Sequence, residues 1–245
     1  MARVIIKLTK LIKQKIKLKN KFMFPSSSGK YIYVKKIAQG GTGIVNLAID
    51  THSGYPVAIK SLFDSHFRNN PELLRKFKIE ANIYLMLSHP NIVKLKDLIL
   101  KDDGAHLVMD YVDGMSLDEY IKTVTGPIPS EVAIAMLKEI ISAVGYAHRK
   151  EIPIPGYDNG VLHLDIKPSN ILISKSGEVL VIDYGISEGI DGERSDQIIG
   201  SLMYMAPEQL KLESVLDHRT DIYSLGVLFH QMLTGSTPYS KNTDQ

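Results

Sequence analysis

The stretch that most constrains this chain covers residues 161–173 and reads VLHLDIKPSNILI. Two short apolar runs, Val161-Leu162 and Ile171-Leu172-Ile173, bracket a polar centre of His163, Asp165, Lys167 and Asn170. Apolar runs of this length read as buried strands. The pattern therefore predicts two strands that present an acid, a base and an amide from one tight turn. A further apolar run, Val179-Leu180-Val181-Ile182, delivers Asp183 and then Tyr184-Gly185. An acid at the end of a buried strand points to metal binding.

Moving a phosphoryl group needs an acid near the attacking hydroxyl, a cation on the transferred group, and acid and amide oxygens to hold magnesium. Asp165, Lys167, Asp183 and Asn170 are residues of those types. An Asp-x-x-x-x-Asn turn that merely caps its own backbone is the plainer alternative, so the rest of the chain has to decide.

At 245 residues, 44% apolar and 23% charged, the chain suits one large or two small packed lobes. It has no Cys, which excludes disulfides and thiolate metal sites, and its eight His lack ligand spacing, which argues against structural zinc. That fits a cytoplasmic location. No apolar run approaches the roughly 18 residues of a membrane span, and no signal-peptide core is present. The formal charge of +2 hides an asymmetry: residues 1–24 carry Arg3 and seven Lys with no acid, while the other 21 basic residues face 27 acidic ones, a net of −6. Residues 12–19 alternate Lys with other side chains at a strand period. No aromatic stacking pattern or nucleic-acid motif accompanies them, so residues 1–30 read as a flexible, solvated arm that binds no nucleic acid.

Residues 31–38 and 44–49 read as strands joined by Gln39-Gly40-Gly41-Thr42-Gly43, whose bare amides suit phosphate oxygens. Such a connection alone is more often just a turn. A third strand at 56–61 carries Val57-Ala58-Ile59-Lys60, a lysine on an apolar strand. In the helix that follows, with Asn70 as cap and Pro71 at its first position, Leu73, Phe77, Glu80, Tyr84 and Leu87 share a face. Breaking a buried ion pair costs about 3–5 kcal/mol, so an acid in that apolar stripe implies a Lys60–Glu80 bridge. Strands at 95–100 and 105–111 complete an expected five-strand meander with one inserted helix. Asp113-Gly114 ends that pattern, and Ser116 with Glu119 forms a capping box. Ser130 is expected to cap a long helix with Ala133, Leu137, Ile140, Val144 and Ala147 on one face, and residues 151–160 read as a loop.

Taken in order, Ala38-Gln39-Gly40-Gly41-Thr42-Gly43-Ile44-Val45, Val57-Ala58-Ile59-Lys60, Glu80, His163-Leu164-Asp165 with Lys167 and Asn170, Asp183-Tyr184-Gly185, and Ala206-Pro207-Glu208 resemble the signature set of serine/threonine protein kinases of the eukaryotic type. The resemblance covers about residues 31–240, and Lys167-Pro168-Ser169-Asn170 is similar to the bacterial members. It implies an α+β bilobal fold. A five-stranded antiparallel lobe with one helix would occupy residues 31–112. A mainly helical lobe would occupy 113–245, ending soon after a helix at 221–233. It also implies ATP with Mg2+ or Mn2+ as cofactors, and transfer of the γ-phosphate to Ser/Thr hydroxyls of protein substrates, the chain itself included, in signalling.

By the same resemblance Lys60 would hold the α- and β-phosphates and pair with Glu80. Asp165 would accept or orient the hydroxyl proton, Lys167 would neutralise the γ-phosphate, and Asn170 and Asp183 would bind the metal ions. Ala38, Gly40 and Gly43 would lie over the phosphates, and Val45, Ala58 and Leu172 would sandwich the adenine. Met109 would be the gatekeeper, followed by backbone contacts from Asp110 to Val112. Tyr84, Leu95, His163 and Tyr184 resemble the apolar spine, and Asp221 the acid that braces the catalytic loop.

The chain departs from the family pattern at four places: Ala38 for the first glycine, Leu164 for the usual Arg, Tyr184 for Phe, and the short end. Ile222, Leu225, Leu228, Phe229 and Met232 surround much of the last helix, which implies all-round burial. Self-association or a partner protein would then cover it, or the chain would be a truncated form of low stability. A nucleotide-binding pseudokinase or scaffold is the competing class, and loss of Lys60, Asp165 or Asp183 would have favoured it. All three are present.

Overall fold

Runs rich in aliphatic and β-branched residues between turn signals form the first sheet. Its strands are β1 (Tyr31–Gly40), β2 (Gly43–Asp50), β3 (Pro56–Phe63), β4 (Leu95–Lys101) and β5 (Gly104–Asp110), with helix α1 (Pro71–Met86) between β3 and β4. The structure is a computed structural model that describes residues 30–40, 43–63, 71–101, 104–153, 160–184, 202–210 and 216–238. The arm at 1–29, Asn70 and residues 41–42 lie outside these.

All the pairings are antiparallel, but the order is β1-β2-β3-β5-β4 and not a simple meander. The reason is direction. β3 and β4 are each antiparallel to β5, so they point the same way, and like-directed strands joined by a helix cannot form a hairpin. The β4–β5 hairpin folds back so that β5 enters between them.

Register puts the residues of interest on one face. Directly opposed residues share a side of the sheet, and the pairs Ala38↔Val45, Val45↔Lys60 and Lys60↔Leu107 form one rung. The next rung on that side is Leu47↔Ala58, Ala58↔Met109 and Met109↔Leu95. The opposite face buries a small cluster of Tyr31, Ala48, Val57, Ile59 and Val108.

The second half holds a three-stranded sheet of β6 (Gly114–Ser116), β7 (Ile171–Ser174) and β8 (Val179–Val181). Three residues that begin with glycine carry no strand pattern, so β6 was not expected there. Gly114 is required by approach, since a Cβ on it would lie 1.9 Å from the Ile173 carbonyl oxygen. Helix α2 (Leu117–Tyr120) starts as expected, with the Ser116 hydroxyl accepting from the Glu119 N–H at 3.1 Å, and continues into a π turn, Ile121–Thr125.

Helix α3 (Ser130–His148) is capped one residue earlier than expected. Pro129 occupies the cap with no side-chain hydrogen bond, and its carbonyl accepts the Ala133 N–H at 2.9 Å. Extended Pro129 already ends the preceding segment, so Ser130 becomes the first helical residue. Ala133, Met136, Ile140, Ala143, Val144 and Ala147 are buried, with Leu137 packed against the core.

Helix α4 (His218–Thr234) opens with Asp217 accepting from the Arg219 N–H and closes on left-handed Gly235. Its burial is a stripe through Asp221, Ser224, Leu225, Leu228 and Met232. Ile222 is 55% exposed, so the expected all-round burial is not found. Ile222 lies on the same side as the exposed Arg219 and Gly226, where helical periodicity turns it from the core.

One apolar core runs through both halves, joining Tyr84, Leu95 and Leu107 to Ile140, Ile166 and Leu228. The halves are also joined by backbone bonds. Val93 N–H donates to the Val181 carbonyl at 2.9 Å, and Val181 N–H to the Asn91 carbonyl at 2.8 Å. Lys150 and Val161 N–H groups both donate to the Ala147 carbonyl, at 3.1 and 2.9 Å. Residues 154–159 between them lie outside the described residues. Left-handed Gly160 passes so close that a Cβ would sit 2.0 Å from the His148 carbonyl oxygen. Among the described residues no helix is long and apolar enough to cross a membrane.

Candidate active site

The stretch at 161–173 is positioned from both ends. Ile171–Ser174 is strand β7, as expected, but Val161-Leu162 lies outside any strand. It is pinned by the carboxylate of Asp221 on α4 instead. The N–H groups of His163 and Leu164 donate to Asp221 Oδ2 and Oδ1, both at 2.8 Å. Asp221 is fully buried, which raises its carboxyl. The His148 Nε2–H bond at 2.7 Å, the nearby His163 and the two backbone N–H groups outweigh burial and hold it below the ordinary carboxylate value. The brace allows Leu164 its left-handed backbone, φ 65°, a conformation that non-glycine residues adopt only when their surroundings enforce it.

Asp165 follows. Its Oδ2 is 2.8 Å from Lys167 Nζ and accepts from Asn170 Nδ2 at 2.8 Å, and the same amide donates to its backbone carbonyl. One carboxylate oxygen is thus held between a cation and an amide, with both side chains partly shielded from solvent.

Asp183 hangs from the same turn. Ile182 N–H donates to the Asn170 carbonyl at 3.0 Å, and His163 Nε2–H donates to the Ile182 carbonyl at 3.0 Å. His163 Nδ1 accepts from the Asp165 N–H at 3.3 Å. One buried imidazole therefore ties the Asp165 backbone to the strand end that carries Asp183. Asp183 is itself left-handed, φ 62°, and its Oδ2 is 2.8 Å from Lys60 Nζ. That ion pair joins the upper sheet to the lower loop.

Glu80 lies on α1, but its side chain is outside the described residues, so the expected Lys60–Glu80 bridge is neither seen nor excluded. Ala38, Val45, Ala58, Lys60 and Met109 share the sheet face described above. Gly40 and Gly43 close the β1–β2 pair. Leu172 on β7 opposes Leu180 on β8 and packs against the main core. Asp110 N–H donates to the Lys94 carbonyl at 3.0 Å, and Val112 lies in the connection to the second half.

Ring contacts run from Tyr84 to Tyr184, with centroids 5.9 Å apart, and from Tyr184 to His163, at 4.6 Å. Tyr84 also donates to the Val93 carbonyl at 2.6 Å. Burial pushes both phenols up, so they stay neutral. Three of the four expected spine residues thus touch in sequence, and Leu95 belongs to the same core.

Asp183 Oδ1 is buried and has no hydrogen-bond partner among the described residues. A buried carboxylate oxygen without a partner is costly, and a bound cation relieves it. Among the described residues no cluster of three or more His, Cys, Asp or Glu side chains forms a metal cage. The Asp183 carboxylate and the Asn170 amide oxygen are instead the sparse, hard-oxygen set that magnesium uses when substrate phosphates and water supply further ligands. The residues present fit that ion.

Two structural partners carry no mark in the sequence. His148 supports Asp221, and Gln209 on the turn Pro207–Leu210 donates from Nε2 to the Leu164 carbonyl at 2.9 Å. Helical periodicity placed His148 only at the end of α3. The position of Gln209 directly after Ala206-Pro207-Glu208 was the one available hint. Glu208 accepts from the Thr220 hydroxyl at 2.9 Å.

A five-stranded sheet set on a helical half, with this lysine and acid constellation between them, defines a protein-kinase fold. The family model described as "Protein kinase domain" matches residues 31–245, and the chain belongs to that family. It is 38% identical over 216 residues to the serine/threonine-protein kinase PrkC of Bacillus subtilis, a match that covers 86% of this chain and 31% of PrkC. It is 33% identical over 216 residues to the serine/threonine-protein kinase PknL of Mycobacterium tuberculosis, covering 86% and 51% respectively. The chain thus spans about a third of PrkC and half of PknL. The crystal structure of the M. tuberculosis PknI kinase domain superposes with a TM-score of 0.70 at 24% identity, covering 93% of this chain and 80% of that one.

Proposed function

We propose that this chain is an ATP-dependent protein kinase that phosphorylates Ser and Thr hydroxyls of protein substrates, its own included. The observation that carries the proposal is the environment of Asp165. One of its oxygens is fixed between Lys167 and Asn170 at 2.8 Å each, as an acid must be to orient a hydroxyl beside developing negative charge. Its similarity to the serine/threonine-protein kinases PrkC and PknL, at 38% and 33% identity, points the same way.

In this reading residues 31–112 and 113–245 are the two lobes, and the nucleotide lies between them. Val45, Ala58 and Leu172 enclose the adenine, with Met109 behind it and the backbone of Asp110 to Val112 along its edge. Ala38, Gly40 and Gly43 let the chain approach the phosphates. Lys60 supplies a fixed positive charge to the phosphate oxygens, aligned with Glu80. Asp165 receives or orients the proton of the attacking hydroxyl, and Lys167 offsets charge on the transferred group. Asn170 and Asp183 would hold magnesium, which when bound withdraws charge from the phosphates. The protein acts in the cytoplasm.

The test is incubation with γ-labelled ATP, magnesium and a generic basic protein, followed by phosphoamino-acid analysis. Label in phosphoserine or phosphothreonine is expected. Label chiefly in phosphotyrosine, or nucleotide binding with no transfer, would refute the proposal; the second result would favour a nucleotide-binding scaffold.

A further inference from the structure

We infer that Gln209 is a positioning residue for the reaction proposed above, a side-chain clamp that sets Asp165 against the segment 202–210. The inference rests on that kinase reading. Gln209 Nε2 donates to the Leu164 carbonyl at 2.9 Å, and its Oε1 accepts from the Ala206 N–H at 3.0 Å. A carbonyl can only accept and a backbone N–H can only donate, so this pair of bonds fixes the orientation of the amide. Its own N–H donates to the Ala206 carbonyl at 2.9 Å, closing a ring of two bonds between Gln209 and Ala206. The side chain therefore leaves a rigid base.

Its target is the residue before Asp165. Leu164 holds a left-handed backbone, φ 65°, with its N–H given to Asp221 at 2.8 Å and its carbonyl to Gln209. Both groups of this residue are thus bonded to side chains from later parts of the chain, and the direction in which Asp165 leaves depends on both. The Leu164 side chain carries no charge with which to hold segment 202–210. The clamp acts through the backbone of that same residue and needs no phosphate to form.

Two variants separate the bonds. Gln209→Met keeps the length of the side chain and loses both. Gln209→Glu keeps an acceptor for the Ala206 N–H but faces the Leu164 carbonyl with an oxygen. Because misplacement of about 1 Å can cost on the order of a hundredfold in rate, kcat should fall between about ten- and a hundredfold in both variants, with KM for ATP unchanged. In hydrogen exchange the Ala206 amide should exchange faster in Gln209→Met and stay protected in Gln209→Glu. A Gln209→Met protein with wild-type kcat, or one whose Ala206 amide exchanges no faster, overturns the inference. A wild-type protein that transfers no phosphate defeats the kinase reading and the positioning role together, whereas active wild type beside equally active variants defeats only the latter.

Discussion

Tyr184 lies against His163, with ring centroids 4.6 Å apart, and its buried hydroxyl has no hydrogen-bond partner among the described residues. The same ring packs on Tyr84 at 5.9 Å and so connects the two halves of the molecule, while the phenol oxygen adds desolvation without a compensating bond.

Tyr184→Phe should therefore stabilise the protein. An unsatisfied buried polar group costs about 1–3 kcal/mol, and for a chain of this size each kcal/mol moves Tm by about 2–4 °C. Thermal unfolding should show a rise of a few degrees with no loss of ring packing. A lower Tm for the variant would count against the assignment of an idle hydroxyl.

The two acids should separate chemistry from binding. Asp165→Asn keeps the residues that would hold metal, so transfer should fall by roughly 10²–10⁴ while nucleotide affinity changes little. Asp183→Asn removes the carboxylate bonded to Lys60 and should weaken nucleotide binding only when magnesium is present. Identical titrations of both variants with and without magnesium would show the roles to be wrongly divided.

Asp221 gives a pH dependence of known sign. Its carboxyl sits below its ordinary value of 3.8 in the folded protein. The stabilisation it provides is complete above that value and is lost as pH falls from there through the lower folded value. Hydrogen bonds to a charged group contribute about 1.5–3 kcal/mol, so Asp221→Asn should be clearly less stable near neutrality. The gap between variant and wild type should narrow in acid. A gap that stays constant down to pH 2 would mean that the carboxylate charge is not what holds the loop.

Leu164 leads to a statement about regulation. With an apolar residue directly before Asp165, a phosphate on Ser187 or Ser195 meets no guanidinium at that position. Treatment with a phosphatase, or Ser195→Ala, should leave turnover largely unchanged. Both residues lie outside the described part of the structure, so kinetics is the direct measure. Loss of most activity in either case would refute constitutive behaviour.

What could be read from the residues alone was whatever depends on near neighbours. His163, Asp165, Lys167 and Asn170 fall within eight positions, so their convergence on one turn followed from spacing. The Ser116 cap and the buried face of α3 followed from the periods of helices. The order of β4 and β5 did not, because strand pairing across a sheet is a long-range choice that a local apolar pattern does not encode. The bond from Lys60 that the structure shows reaches 123 residues along the chain to Asp183, a separation no local spacing announces, while the Glu80 side chain lies outside the described residues. The brace by Asp221 was legible only through the family resemblance, and Gln209 was harder still. It binds backbone groups, which every residue carries, so nothing in the side chains of Leu164 or Ala206 advertises it.

The double use of the Ala147 carbonyl has an architectural consequence. The chain leaves α3 and returns to the catalytic stretch at a single oxygen atom, through the Lys150 and Val161 N–H groups. The distance between departure and return is thereby set by that atom and not by the residues between. Each doubling of a loop's length costs only about 0.6 kcal/mol, so evolution or an engineer can change the number of residues between the two N–H groups at little cost. The chemistry next door would not register the exchange, provided that Gly160 is kept and that Ile152, which is buried in the main core, is kept with it.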